Sequence, residues 1–342
     1  MATAFVRRDA LKLGLGVIVL GGGFASRAAS VAAEAGPPLP ISIITSDSNM
    51  TNTLIELIRR KRYLEDLELA PTILQVADAS KVMPAMISGE ADICVLNGIS
   101  LLFPAIARGA KLKLLGGSCL LPQIAVYSSK PDIKSVADLK GRTIGTGALG
   151  ALTHQLMVAL LKKKGVDPAT VTFRNVGSNA DIFRAVVAGT VDAGPSGIDV
   201  YDQQAKYHTH SLSDGDLWTE LPEYTYQGTF TSDRAIADKR EALVRTLAAF
   251  ARLYRFVQSP DSQDLFIQSY AKAVGNPDPA EAESTWTFIQ KIRSYAVDIV
   301  LSEERIRYMQ DLNVELGVQK SVLPTNEVAD SSLAREALKL LA

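Results

Sequence analysis

The chain repeats itself at an offset of 100 residues: Ile43-Ile-Thr-Ser46 lines up with Thr143-Ile-Gly-Thr146, Val76 with Val176, and Ala85-Met-Ile-Ser-Gly-Glu-Ala-Asp92 with Ala185-Val-Val-Ala-Gly-Thr-Val-Asp192. Each copy reads as strand, loop, helix, strand, helix, strand. Two βαβαβ units of this kind, each an open parallel sheet, place their ligand-facing loops at the carboxyl ends of the strands, so two lobes face one cleft. The Ala-x-x-x-Gly-x-x-Asp turn is also a common helix stop, and on spacing alone a chance repeat stays open.

The second copy contains Arg142-Thr-Ile-Gly-Thr-Gly-Ala-Leu-Gly-Ala-Leu-Thr-His154, which reads as a short strand, a glycine-rich turn and the opening of a helix. Leu152, Leu156, Leu160 and Leu161 recur at helical spacing up to Lys162-Lys163-Lys164, with Gly165 as a stop, so a helix begins near Ala151. Unpaired N–H groups in its first turn and the helix dipole attract an anion or a polar oxygen, and Gly147 and Gly150 let the backbone come close. A turn of this sort also serves as a plain connection, and the repeat is what singles it out as a cradle.

The first 35 residues are of another character. Arg7-Arg8 precede an apolar run of about 13 residues, Leu11 to Gly23, and Ala33-Glu-Ala35 is followed by Gly36-Pro37-Pro38. The run is too short for a bilayer core of about 30 Å, and the Ala-x-Ala pattern suits a signal peptidase, so residues 1–35 read as an export signal cleaved after Ala35. Val6-Arg-Arg-Asp-Ala-Leu-Lys12 resembles the twin-arginine motif, departing from it at Val6 and Ala10; general secretion is the other route. Either route leads outside the cytoplasm, and a soluble periplasmic protein is the expectation. Without those residues the chain carries 32 basic and 35 acidic groups. No basic stripe interleaved with aromatics is present, so nucleic acid is not an expected partner. Cys94 and Cys119 fall in apolar stretches and read as buried thiols, with a disulfide permitted.

Further along, Gly194-Pro-Ser-Gly-Ile-Asp199 reads as a loop, the counterpart of Asn97-Gly-Ile-Ser100. Tyr207-His-Thr-His210 lies amid Asp202, Asp214 and Asp216 but lacks metal-ligand spacing and reads as a polar surface loop, so no metal is expected. Thr225 to Thr231 reads as an extended return crossing, and from Lys239 onward the chain reads as a succession of helices.

The chain resembles the nitrate, sulfonate and taurine-type solute-binding proteins of ABC importers, a branch of the type II periplasmic binding fold. The resemblance is carried by Ser135-Val-Ala-Asp-Leu-Lys-Gly-Arg-Thr-Ile-Gly145, Leu160-Leu-Lys-Lys-Lys-Gly-Val166, Ala185 to Ala193, and Asp330-Ser-Ser-Leu-Ala-Arg-Glu-Ala337. It implies an α/β fold of two lobes, each an open, mostly parallel sheet flanked by helices, with a helical C-terminal region. Lobe I then comprises residues 36–123 and 227–342, and lobe II residues 124–226. It also implies a monomer that traps a small molecule on closure and is recognised by a membrane permease.

Closure requires contacts from both lobes. Strand ends nominate Ser46, Ser48, Asn49 and Asn97 on lobe I, and Thr146, Gly147, Ala148, Thr153, His154, Ser196 and Asp199 on lobe II. Gln123 and Tyr226 come from the crossings, and Leu149, Tyr127 or Tyr226 would flank an apolar body. Ser48 and Asn49 also suit helix capping, and His154 also suits bonding to the backbone. Segments 46–50, 97–100, 146–153 and 194–199 hold no Lys or Arg, yet include Asp47 and Asp199. That balance disfavours a multiply charged anion. It leaves a monoanionic sulfonate or carboxylate as the favoured ligand, with a thiamine-precursor-like nitrogen heterocycle as the alternative. Relatives of this fold include a desulfinase with a Cys nucleophile and a thiamine-pyrimidine synthase. Here both cysteines sit on strand positions and no cofactor-lysine motif is present, so binding without catalysis and without a cofactor is expected; an enzyme or a sensor on the same fold is the alternative.

Overall fold

The computed structural model describes residues 36–76, 81–275 and 278–341, and the expected export signal lies outside them. The first part of the chain runs β1 (Leu39–Ser46), α1 (Asn49–Arg60), β2 (Leu69–Val76), α2 (Val82–Ser88), β3 (Ile93–Asn97), α3 (Leu102–Ala107) and β4 (Leu112–Cys119). The second runs β5 (Ile124–Ser128), β6 (Thr143–Thr146), α4 (Leu152–Lys163), β7 (Thr172–Asn175), α5 (Asn179–Val187), β8 (Ala193–Gly197), β9 (His210–Asp216) and α6 (Leu217–Glu220). Then β10 (Gln227–Ser232) precedes α7 (Asp233–Val257), α8 (Gln263–Val274), α9 (Pro279–Ile292), α10 (Glu303–Glu315), α11 (Thr325–Val328) and α12 (Ser332–Lys339). No helix among the described residues is long and apolar enough to cross a membrane.

The strands form two five-stranded sheets, β2-β1-β3-β10-β4 and β7-β6-β8-β5-β9. In the first, β1 is parallel to β2 and β3, while β10 runs antiparallel to β3 and β4. The second repeats this, with β6 parallel to β7 and β8 and β5 antiparallel to β8 and β9. Each sheet is therefore mixed, with one strand against the rest, and that strand enters by a crossing from the other sheet: β5 after residues 120–123, β10 after residues 221–226. A crossover chain arriving from a neighbouring sheet comes in against the direction of the βαβ strands, which explains the reversal.

Sequence and packing agree strand by strand. Ile93-Cys-Val-Leu-Asn97 is buried throughout, as a strand covered by helices on both faces must be. The repeat has a structural meaning: Asp92 accepts from Ser42 N at 2.8 Å, and Asp192 accepts from Thr143 N at 2.8 Å, so each carboxylate ties the start of its sheet's third strand to the first. One apolar core runs from Ile43, Val95 and Phe230 through Ile124, Ile144 and Leu160 to Phe250, Met309 and Leu333 in the C-terminal helices. A smaller cluster, Tyr127 with Phe183, Val186 and Val191, lies between β5 and α5.

Three expectations are corrected. Gly194 to Gly197 is not loop but strand β8, because β5 pairs with it along its whole length, Val126 facing Pro195 and Ala125 facing Ser196. His210 belongs to strand β9, not to a surface loop; its Nε2 meets the carbonyl of Ile133 at 2.6 Å, and β5 supplies the partner that this polar sequence does not advertise. Helix α7 begins at Asp233, earlier than Lys239, because Ser232 caps it from Ala235 N; Lys239 marks a kink, at φ −135 and ψ 27.

Candidate functional site

The carboxyl ends of β1 and β3 on one sheet face those of β6 and β8 on the other. Ser48 caps α1 by accepting from Thr51 N, which leaves the next residue, Asn49, free to project. Its Nδ2 donates to Asp199 Oδ2 at 3.3 Å, a hydrogen bond between the two lobes. Beside it, Gly98 packs on Leu152, whose nearest side-chain atom lies 3.4 Å from where a Cβ on Gly98 would sit. Gly150, at φ +78, lies under Val318 of the segment after α10. The lobes thus touch through the turn that sequence analysis singles out as a cradle.

The cradle is held from inside. Thr153 Oγ1 accepts from Gly147 N at 2.8 Å, His154 Nδ1 accepts from Gly150 N at 3.1 Å, and the Thr146 hydroxyl donates to the Gly147 carbonyl at 3.0 Å. The His154 ring stands edge-on to Phe173 at 4.6 Å, and burial holds its pKa below the ordinary 6.5, which keeps Nδ1 an acceptor. At the mouth, Ala148 and Leu149 are exposed. Ala151, the N-cap of α4, offers no side-chain acceptor to the first-turn N–H groups.

Other nominated residues separate into two groups. Asn97 ends β3 largely buried, and Ser46 Oγ is within 3.2 Å of Thr51 Oγ1 beside α1. Ser196 spends its hydroxyl on the Asn179 carbonyl at 2.9 Å, and Gln123 donates to Ser294 Oγ at 2.6 Å, so both brace the frame. Tyr226 is buried at the return crossing, and burial raises its pKa.

Asp199 sits at the start of a 3-10 turn, Ile198–Gln203. Burial raises its pKa above 3.8; its own N–H and Asn49 pull it down, and Glu281 on α9 pushes it up again. Its charge in turn raises Tyr127, Tyr226 and Tyr270, groups that burial already lifts.

Strand-end reasoning missed the third side of this region. Helix α9 brings Ser284 Oγ to Asp202 and Phe288 to Trp218, ring centroids 4.8 Å apart, and α10 brings Asn313 to Gln155 of α4. Asn179 was missed as well, although Ser178-Asn179 opens α5 with a capping serine as Ser48-Asn49 opens α1.

Residues 53–262 match the sequence profile described as NMT1/THI5 like. The chain belongs to the NMT1/THI5-like family. No curated protein sequence compared matches this family member. Its structure is similar to that of the alkanesulfonate-binding protein SsuA from Xanthomonas axonopodis pv. citri bound to MOPS, at TM-score 0.70 and 22% identity, covering 86% of this chain and 99% of that one. It is also similar to the periplasmic nitrate-binding protein NrtA from Synechocystis PCC 6803, at TM-score 0.72 and 11% identity over 88% and 89% of the chains. The desulfurization enzyme DSZB is similar too, at TM-score 0.62 and 15% identity over 88% and 100%. At these identities the likeness gives the fold, that of the periplasmic binding proteins. Within it, the two thiols of this NMT1/THI5-like chain are free and buried. Burial pushes Cys119 up to about 12 and raises Cys94 as well.

Proposed function

We propose that the chain is an exported solute-binding protein that captures one small organic ligand between its lobes and delivers it, as a monomer in the periplasm, to an ABC permease. The lobes are residues 36–123 with 227–342, and residues 124–226. The observation that carries the reading is the Asn49–Asp199 hydrogen bond of 3.3 Å, made by polar side chains from the facing strand ends of two bodies joined by two crossings. A ligand closes such a pair only by contacts it makes better in the closed state, so groups from both lobes have to meet it. Asn49 and Asn97 supply these from lobe I, and the first turn of α4 and Asp199 from lobe II.

A sulfonate or carboxylate suits the first-turn N–H groups of α4, which no side chain caps. The carboxylate of Asp199 favours a second reading, a ligand with an N–H donor such as a nitrogen heterocycle. Binding is favoured over catalysis because neither cysteine is accessible and both thiols are held protonated at neutral pH.

A thermal-shift screen of residues 36–342, refolded to remove co-purified ligand, tests the proposal with alkyl and aryl sulfonates, carboxylates, amino acids, nitrate and pyrimidines. A ligand at 100 times its Kd stabilises by about 2.7 kcal/mol, a shift of several degrees. Loss of the shift in Asn49→Ala supports the interlobe site. A shift that survives both Asn49→Ala and Asp199→Ala rules that site out.

A further inference from the structure

Helix α10 begins against its own electrostatics. Ser302 caps it by accepting from the N–H of Arg305, a cation in the first turn, where the positive end of the helix dipole disfavours one. Carbonyl oxygens offset that cost. Arg305 Nη2 donates to Pro222 O at 2.8 Å, and Nη1 reaches Leu120 O at 3.3 Å and Tyr224 O at 3.4 Å. Leu120 opens the crossing that leads into β5, whereas Pro222 and Tyr224 lie on the return crossing that leads into β10. One guanidinium therefore bonds both connections between the lobes. Burial lowers its pKa, and Glu223, the charge that pulls it back, belongs to the return crossing too.

The two crossings are otherwise anchored unequally. The first is tied to lobe I as it leaves: Leu120 N donates to Ser294 O at 2.6 Å, and Gln123 donates to Ser294 Oγ at 2.6 Å. The return crossing is gripped from both lobes. The Tyr224 hydroxyl donates to Gln155 of α4 at 3.2 Å, its ring meets Tyr308 of α10 edge-on at 6.5 Å, and Gln155 donates in turn to Asn313 of α10. Gln155 follows the cradle's Thr153 by two residues, and Pro222 follows the end of α6 by two. A swing of lobe II thus carries the carbonyls of the return crossing past Arg305, which α10 fixes to lobe I.

Resting on the solute-binding reading above, we propose that Arg305 is a positioning residue that binds the two crossings into one hinge and limits how far the lobes part. With fewer open arrangements to leave, closure loses less conformational entropy, and a ligand of given contacts binds more tightly. The fork of the side chain is what the role needs. A guanidinium presents donors on two outer nitrogens in a fixed plane, whereas the ammonium of a lysine presents one.

The test is a distance distribution between two nitroxides, read by double electron–electron resonance on the purified protein without added ligand. Thr72→Cys and Thr172→Cys carry the labels; both positions are exposed, on β2 and β7, the outermost strands on the sides away from β10 and β5, and the buried Cys94 and Cys119 stay unlabelled. The parent protein carrying the labels gives a confined distribution. In Arg305→Met the population at longer distances than the parent's grows about tenfold or more, the size of one charge-assisted hydrogen bond, and in Arg305→Lys it grows as well, while both variants still unfold cooperatively in urea. A parent distribution restored by Lys shows that charge alone suffices and overturns the hold on two crossings. Distributions equally broad in all three proteins overturn the role of Arg305 and leave the solute-binding reading standing, whereas equally narrow ones speak against moving lobes and so against both. Loss of folding in both variants makes Arg305 a structural residue and overturns the inference.

Discussion

Replacing Asp92 and Asp192 by Asn, one at a time, tests whether the two copies of the repeat are built alike but loaded unequally. Asp92 Oδ2 accepts from Ser42 N at 2.8 Å, Ser42 Oγ at 2.8 Å and Lys239 Nζ at 2.7 Å, and its side chain is 10% exposed. Both Ser42 donors meet the one oxygen Oδ2, so the amide oxygen of an Asn keeps the two bonds as neutral ones, a loss of about 2 kcal/mol, since charge-assisted bonds contribute about 1.5–3 and neutral ones about 0.5–1.5. Lys239 is 38% exposed, so solvent screening limits its share to under about 1 kcal/mol. The total is about 3 kcal/mol. At Asp192 the one side-chain acceptor bond is to Thr143 N at 2.8 Å, and the same change costs about 1 kcal/mol. Urea unfolding with an unchanged m-value reads both numbers. The pH dependence follows from the sign of the shift. Burial pushes Asp92 up, but its donors Lys239 and Ser42 outweigh it and hold the carboxyl below 3.8. The difference between wild type and Asp92→Asn is therefore full above pH 3.8 and fades as pH falls through the depressed folded value. Equal costs for the two variants, or a difference that persists in acid below that value, refute the reasoning.

Other expectations come from single contacts. Gly98→Ala fits, because its Cβ stands 3.4 Å from Leu152 at nearest, whereas Gly98→Phe wedges the lobes apart and abolishes ligand-induced thermal shifts while the ligand-free melting temperature stays within a few degrees. Ser196→Ala loses the bond to Asn179 O and costs about 1–2 kcal/mol in urea unfolding, while ligand affinity changes less than about threefold. Cys94 and Cys119 react with a thiol reagent only as fast as the protein unfolds, and rapid labelling of the native chain contradicts their burial. Because the His154 pKa lies below its ordinary 6.5, stability falls as pH drops from 6.5 through the folded value and the imidazole takes a proton; His154→Gln flattens that dependence.

Much of the frame was legible in the sequence because strands in doubly covered sheets are continuous apolar runs and helix starts carry their own chemistry. Ile93 to Asn97, the start of α4 after Ala151 and the two Asp turns were each fixed locally. Strand β9 was not, since His-Ser-Leu-Ser-Asp-Gly-Asp has no apolar alternation and extends only because β5 lends it a ladder. Nor were the engagements of Ser196 and Gln123, whose partners Asn179 and Ser294 lie 17 and 171 residues away. A hydroxyl at a strand end looks the same in sequence whether it faces a cleft or a carbonyl. The wall built by α9 and α10 was missed for a related reason: amphipathic spacing says that a helix buries one face, but not against which lobe.

The central claim is that a ligand closes the two lobes through Asn49 and Asp199. Small-angle X-ray scattering of residues 36–342, with and without the tightest ligand from the thermal-shift screen, tests it most directly. The account predicts a smaller radius of gyration with ligand, and no change in the Asn49→Ala, Asp199→Ala double variant at the same ligand concentration. An unchanged radius in the wild type under saturating ligand, or equal compaction in the double variant, contradicts it.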